Sequence, residues 1–213
     1  MFQSATMRMD MRADTIKYFN TRQIATLRRM VRDRSVLAQA KNRSTAIREW
    51  AVLDVLTSTG MRVGEVVDLR CGDISCGYAE CEIFVRNGKG GKSRKIQIQE
   101  SLKTHIRQFI AWKKEMNEGV EEDDYLFVGQ RGPWTSQAVQ QIVKKYLKQL
   151  GLYEKGKSVH ALRHSYATEL YRNSKDLRAV QKQLGHASIA TTTIYADVTK
   201  EAIKEHLSGM WRN

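Results

Sequence analysis

The chain has 213 residues, 41% of them hydrophobic and 28% charged, which is enough apolar surface for a core and excludes global disorder. At roughly 150 residues per domain, the length allows one domain with at most a small appendage. Lys and Arg number 36 against 23 Asp and Glu, a formal charge of +13 that suits a surface meeting phosphates. Three cysteines without a CxxC pair make neither a disulfide framework nor a zinc site, and no apolar run approaches the ~20 residues of a membrane span. A reducing, cytoplasmic setting is expected.

Residues 1–17 read as a loose arm. Asn20 and Gln23 have capping-box spacing, and Ile24, Leu27 and Met30 fall on one side of a helix of about three turns whose other face is basic. Ser44 is placed to cap a second helix, in which Ile47, Trp50, Ala51 and Val55 are too dense for a surface element; Gly60 fits its stop. A short helix runs from Arg62 to Leu69. The period then changes to strand-like runs at 82–86 and 95–99, joined by a glycine-rich hairpin tip, NGKGGKS. Leu102, Ile106, Phe109 and Ile110 restore helical spacing, and the acidic stretch from Glu115 to Asp124 reads as a solvated loop. Thr135 and Ser136 are candidate caps for a helix carrying Val139, Ile142, Val143, Tyr146 and Leu147 and ending at Gly151; further helices are predicted over 160–172, 176–184 and 200–211. The fold class is mainly α with a small antiparallel β-sheet (α+β).

Basic residues concentrate between Arg86 and Lys114, where nine Lys and Arg stand against Glu100 alone, a candidate phosphate-tracking surface. Three further segments hold chemistry. Arg62 lies just past a buried helix, where a rigid element can fix a guanidinium, and Glu65, three residues on, could pair with it. His160 and Arg163 are three residues apart, on one side of a helix. His186 directly follows Gly185, and Tyr195 comes nine residues later.

Arg62 in TGMRVGEVVDLR, Lys89 in GKGGKSRK, His160 and Arg163 in HALRH, His186 in LGHAS and Tyr195 in TTTIYADV together resemble, in order and spacing, the active-site set of the tyrosine recombinases, the phage integrase family. The resemblance runs from about Phe19 to the C-terminus. It implies the catalytic-domain fold of that family and site-specific recombination of double-stranded DNA through a 3′-phosphotyrosyl intermediate with a free 5′-hydroxyl. The residue chemistry agrees. Guanidinium forks suit the non-bridging oxygens of a transferring phosphoryl group, which makes Arg62 and Arg163 the clamp. A phenol of pKa near 10 needs a cationic pocket and a base to attack, which suits Tyr195 as nucleophile. The departing 5′-oxygen needs a proton, for which Lys89 on the hairpin tip is the candidate.

The resemblance further implies that His160 contacts the phosphate and helps manage the tyrosine proton, and that His186 donates a hydrogen bond to the same phosphate. Lys92, Arg94 and Lys95 are expected to touch the DNA backbone. His164 and Ser165 are read as supports of their helix, and His105 and His206 as surface residues. The scheme requires no metal and no cofactor; the hairpin glycines lack P-loop spacing. Ile203, Leu207, Met210 and Trp211 form a C-terminal stripe expected to pack on a neighbouring subunit of a homo-tetramer on paired DNA sites, monomeric when free, with accessory DNA-bending or directionality proteins as possible partners and no membrane. The expected division is an arm over 1–17 and a catalytic domain over 18–213, without the N-terminal core-binding domain that most members carry. A non-recombining accessory protein, a truncated integrase fragment and a type IB topoisomerase are the alternatives.

Overall fold

In the computed structural model of the chain, residues 17–41, 43–75, 81–88 and 91–196 are described. Lys89, Cys76, His206, the arm up to residue 16 and the predicted C-terminal helix over 200–211 lie outside the described residues.

Helix α1 (Thr21–Gln39) starts on the expected capping box, with Asn20 and Gln23 exchanging side-chain to backbone hydrogen bonds. It runs 19 residues, well beyond the three turns predicted. Helix α2 (Thr45–Thr59) ends at Gly60 in a left-handed conformation, but Ser44 makes no capping bond. Its dense apolar composition has the expected cause: Val52, Leu53, Val55 and Leu56 are all at most 1% exposed, because α1, α4 (Glu100–Glu115) and α6 (Val159–Ser174) surround it. The short α3 (Val63–Val67) follows.

Strands β1 (Ile74–Ser75), β2 (Glu82–Val85) and β3 (Arg94–Gln97) form an antiparallel sheet in that order, with Ile83 opposite Ile96 and Val85 opposite Arg94. Two two-residue strands, β4 (Val128–Gly129) and β5 (Gly132–Pro133), pair separately. Helix α5 (Ser136–Gln149) is capped by the Thr135 side chain, and α7 (Leu177–Leu184) by Asp176. Two single 3-10 turns, Ile189–Thr191 and Thr193–Tyr195, close the described chain. Most apolar side chains join one core; Ala167, Val180, Leu184 and Tyr195 form a second, smaller one beside Tyr166 and Leu170. Among the described residues no helix is long and apolar enough to cross a membrane.

His105 is not the surface residue its polar neighbours suggested. Packing of α4 on α2 half-buries it, stacks it on Trp50 and sets Nδ1 2.5 Å from Asp54 Oδ2. Asp54, 3% exposed, also accepts from Arg28 at 2.6 Å and from Ser58 at 3.1 Å. Burial alone would raise its pKa, but the hydrogen bond to His105 and the charge of Arg28 outweigh that and hold the carboxyl below its ordinary value. Because the folded value is the depressed one, the stabilisation is complete above the unfolded pKa of about 4 and is lost as pH falls through the lower folded value. Urea unfolding at about pH 6 and about pH 3 should show this: Asp54→Asn is expected to cost about 2 kcal/mol at the higher pH and to narrow the gap from wild type at the lower.

Part of the basic run between Arg86 and Lys114, expected as a phosphate-tracking surface, is taken up by ion pairs. Arg86 pairs with Asp73 at 2.6 Å and Asp123 at 3.2 Å, Lys95 with Glu82 at 2.7 Å, and buried Lys113 with Glu118 at 3.1 Å. Most of the acidic stretch is exposed, as predicted, while Glu118 also pairs with Arg48.

Candidate active site

Three separate chain segments meet at the end of α2. Gly60 turns the chain at φ +64°, where a Cβ would stand 2.5 Å from the Tyr166 ring, so only glycine fits without displacing that ring. The turn leads into Arg62. Helix α6 passes beneath and presents Arg163, 6% exposed, whose Nη1 donates to the Gly60 carbonyl at 2.7 Å and Nη2 to the Leu184 carbonyl at 2.9 Å. Both carbonyls sit at helix C-terminal ends, where the backbone dipole favours a cation. Burial, with the nearby charge of Arg62, lowers the Arg163 pKa to about 10, so at neutral pH the guanidinium keeps its charge.

Glu65 links the two sides of the site. Its carboxylate, 7% exposed, accepts from the Arg62 backbone N–H at 2.8 Å and from Arg62 Nη1 at 2.9 Å. From the other side Arg94 reaches it with both terminal nitrogens, at 2.8 and 2.9 Å. Burial would raise the Glu65 pKa, but the Arg94 and Arg62 hydrogen bonds outweigh it and leave the carboxyl below its ordinary range.

Arg94, expected to touch the DNA backbone, therefore faces a buried carboxylate. Its side chain is 13% exposed, its Nε is buried without a hydrogen bond, and it packs against Gly185, where a Cβ would lie 2.6 Å from Arg94 Cδ. Lys92 and Lys95 are exposed on that hairpin. Arg94→Ala should remove both bonds to a buried carboxylate, which we expect to lower urea-unfolding stability by about 3 kcal/mol. Arg94→Lys should recover only part of that, because an ammonium cannot form the paired contact.

Tyr195 ends the second 3-10 turn with 7% exposure, its ring nearly parallel to that of His186 at 6.3 Å. Burial raises the phenol's pKa while Arg163 and Arg62 pull it down, with a net rise. His186 contacts Thr192 Oγ1 through Nδ1 at 3.0 Å, and burial together with Arg163 and Arg62 lowers its pKa to about 4, so it is neutral at physiological pH. His160 is exposed on the first turn of α6. The group that reaches the phenol is His164, Nδ1 to Oη 2.9 Å, a residue that sequence reasoning made a helix support. Of the six expected residues, the structure thus gathers Arg62, Arg163, His186 and Tyr195, and sets His160 at the rim. Among the described residues no group of three or more His, Cys, Asp or Glu side chains could hold a metal ion. Chemically the site offers two guanidinium groups, a neutral imidazole and a buried phenol on one side of a carboxylate hinge, a set matched to a phosphodiester.

The sequence profile of the phage integrase family matches residues 32–202. The chain belongs to the phage integrase family. This family member is 37% identical to tyrosine recombinase XerD of Halalkalibacterium halodurans over 163 residues, which cover 75% of this chain and 52% of that protein. It is 34% identical to tyrosine recombinase XerA of Pyrococcus horikoshii over 163 residues, 75% of this chain and 53% of the relative. The integrase-family chain thus spans about half the length of the curated relatives it matches. Among solved structures it resembles XerA recombinase, with TM-score 0.68 and 28% identity over 90% of this chain and 62% of that one. A post-cleavage complex of the XerH site-specific recombinase with a palindromic difH substrate is similar too, with TM-score 0.72 and 26% identity over 93% and 54% of the two chains. The fold is that of the tyrosine recombinase catalytic domain, as the sequence motifs implied.

Proposed function

We propose that this chain is the catalytic part of a site-specific recombinase that cuts and rejoins double-stranded DNA through Tyr195. Residues 18–213 form the catalytic domain in this reading. The observation that carries it is the placement of a buried phenol among Arg62, Arg163 and His186 within a family whose similar members are tyrosine recombinases. Arg62 and Arg163 bind the non-bridging oxygens of the scissile phosphate and stabilise the charge that builds on them, and His186, neutral, donates a hydrogen bond to the same group. The Tyr195 oxygen attacks phosphorus, the bond to the 5′-oxygen breaks, and Lys89 supplies the proton that oxygen takes up. His160 contacts the phosphate from the rim, and Lys92 and Lys95 meet the DNA backbone beside the site. Arg94 acts through Glu65 on Arg62, not on the DNA. The phosphotyrosyl link conserves the energy of the broken bond, so resealing needs no nucleotide cofactor.

Two sites are recombined within a homo-tetramer in the cytoplasm, with accessory proteins free to set direction. The test is incubation with nicked duplexes carrying candidate sites, without divalent ions or ATP, followed by a denaturing gel and mass spectrometry of the digested adduct. A nucleotide remnant on the Tyr195 peptide is the expected result. Intact duplex binding with no covalent product on any site would overturn the reading, and relaxation of a plasmid lacking the site would replace it with a topoisomerase.

A further inference from the structure

The phenol that attacks must lose its proton, and the residue expected to manage it, His160, is exposed at the rim, its ring 6.5 Å from that of His164. One turn further along α6, His164 sets Nδ1 2.9 Å from Tyr195 Oη, the one hydrogen bond recorded for that hydroxyl among the described residues. Its position is fixed on both sides. Arg163, the preceding residue, is tied to two backbone carbonyls, and Ser165, the following one, donates to Ala161 and accepts from the Phe19 N–H at 2.7 Å. The His186 ring lies nearly parallel to the phenol ring, 6.3 Å away.

We propose that His164 is the group that holds the Tyr195 hydroxyl in place and accepts its proton as the bond to phosphorus forms. This rests on Tyr195 being the nucleophile. The Oη–H bond breaks as Oη–P forms and the proton passes to Nδ1; the P–O5′ bond breaks and that oxygen takes a proton from the opposite side. On resealing, the 5′-hydroxyl hands its proton back to that opposite-side donor as its oxygen attacks phosphorus, the Oη–P bond breaks, and the imidazolium returns its proton to the departing phenoxide. His160 and Arg163 on α6, with Tyr195 and His186 from the C-terminal turns, are the titratable and charged groups facing His164. Burial and the first two of these keep the imidazole below its ordinary pKa, hence neutral and able to accept at physiological pH. The imidazolium is disfavoured there while the site is unreacted, and it forms beside a phosphoryl group that gains negative charge in the same step.

The experiment compares adduct formation by the full chain, His164→Ala and His164→Asn on the nicked duplex and on the same duplex with sulfur replacing the bridging 5′-oxygen, a leaving group that needs no proton. His164→Ala is expected to be slower by about 10²-fold on both substrates. Asparagine can place an oxygen near the Nδ1 position but cannot carry the proton away, so His164→Asn is expected to stay within about tenfold of His164→Ala. Wild-type rates should fall at low pH along a limb that both variants lack. The bond to Tyr195 also makes His164→Asn the variant to use if His164→Ala fails to fold.

A His164→Ala rate within about threefold of wild type would overturn the proposal, as would rescue by the sulfur substrate, and wild-type speed in His164→Asn would reduce the residue to a positioning role. Absence of any wild-type adduct removes the Tyr195 reading itself, a result distinct from these.

Discussion

Tyr195→Phe is expected to abolish covalent capture of nicked DNA while leaving the domain folded and able to bind the same duplex. Loss of a nucleophile that acts with a preorganised site typically removes catalysis by as much as about 10⁶-fold, which places the variant below detection on a gel. The remainder of the molecule should barely register the change. The ring stays in the small core with Ala167, Val180 and Leu184 and against His186, and only the bond to His164 is lost, so urea unfolding should move by about 1 kcal/mol. The pair of readouts matters because a variant that stopped binding or unfolded would implicate the site's architecture and not the hydroxyl.

Arg163→Lys should lower adduct formation at saturating DNA by about 10³-fold although the charge is retained. The reason is geometric. Arg163 directs one N–H at the Gly60 carbonyl and another at the Leu184 carbonyl, which leaves the rest of its five donors in a fixed plane for the phosphate. A lysine ammonium, a point charge on a flexible stem, cannot satisfy two carbonyls at the ends of two different helices and two phosphate oxygens as well. Because an unsatisfied buried carbonyl costs about 1–3 kcal/mol, the same variant should unfold at lower urea, by about 2 kcal/mol. If the rate fell while the stability did not, the carbonyl contacts would be incidental to placing the guanidinium.

Much of this site was legible before any coordinates. Local signals did their usual work: the Asn20 and Gln23 box starts α1, Gly60 ends α2, and the density of Ile47, Trp50, Ala51 and Val55 marks α2 as central. The motif residues Arg62, His186 and Tyr195 lie at helix or turn ends, which brings them to Arg163 in the body of α6. What the sequence concealed are partnerships made across the fold. Arg94 sits in a run of lysines and arginines, and nothing local says that it turns inward to a carboxylate 29 residues earlier. His105 has polar neighbours on its helix, yet its partner Asp54 is 51 residues away on α2. His164 resembles a structural neighbour of Arg163 until the turn carrying Tyr195 folds back over it. Strands β4 and β5 are two residues each, too short for any alternation to emerge.

The hold on Arg163 has a consequence for the life of the polypeptide. Its two carbonyl partners stand 103 and 21 positions away along the chain, so neither the ribosome-bound first half nor a proteolytic remnant of either half contains the assembled clamp. In the proposed reading, competence to break a strand arises and disappears with cooperative folding of the whole domain. Unfolded or half-made copies are then expected to be inert towards DNA.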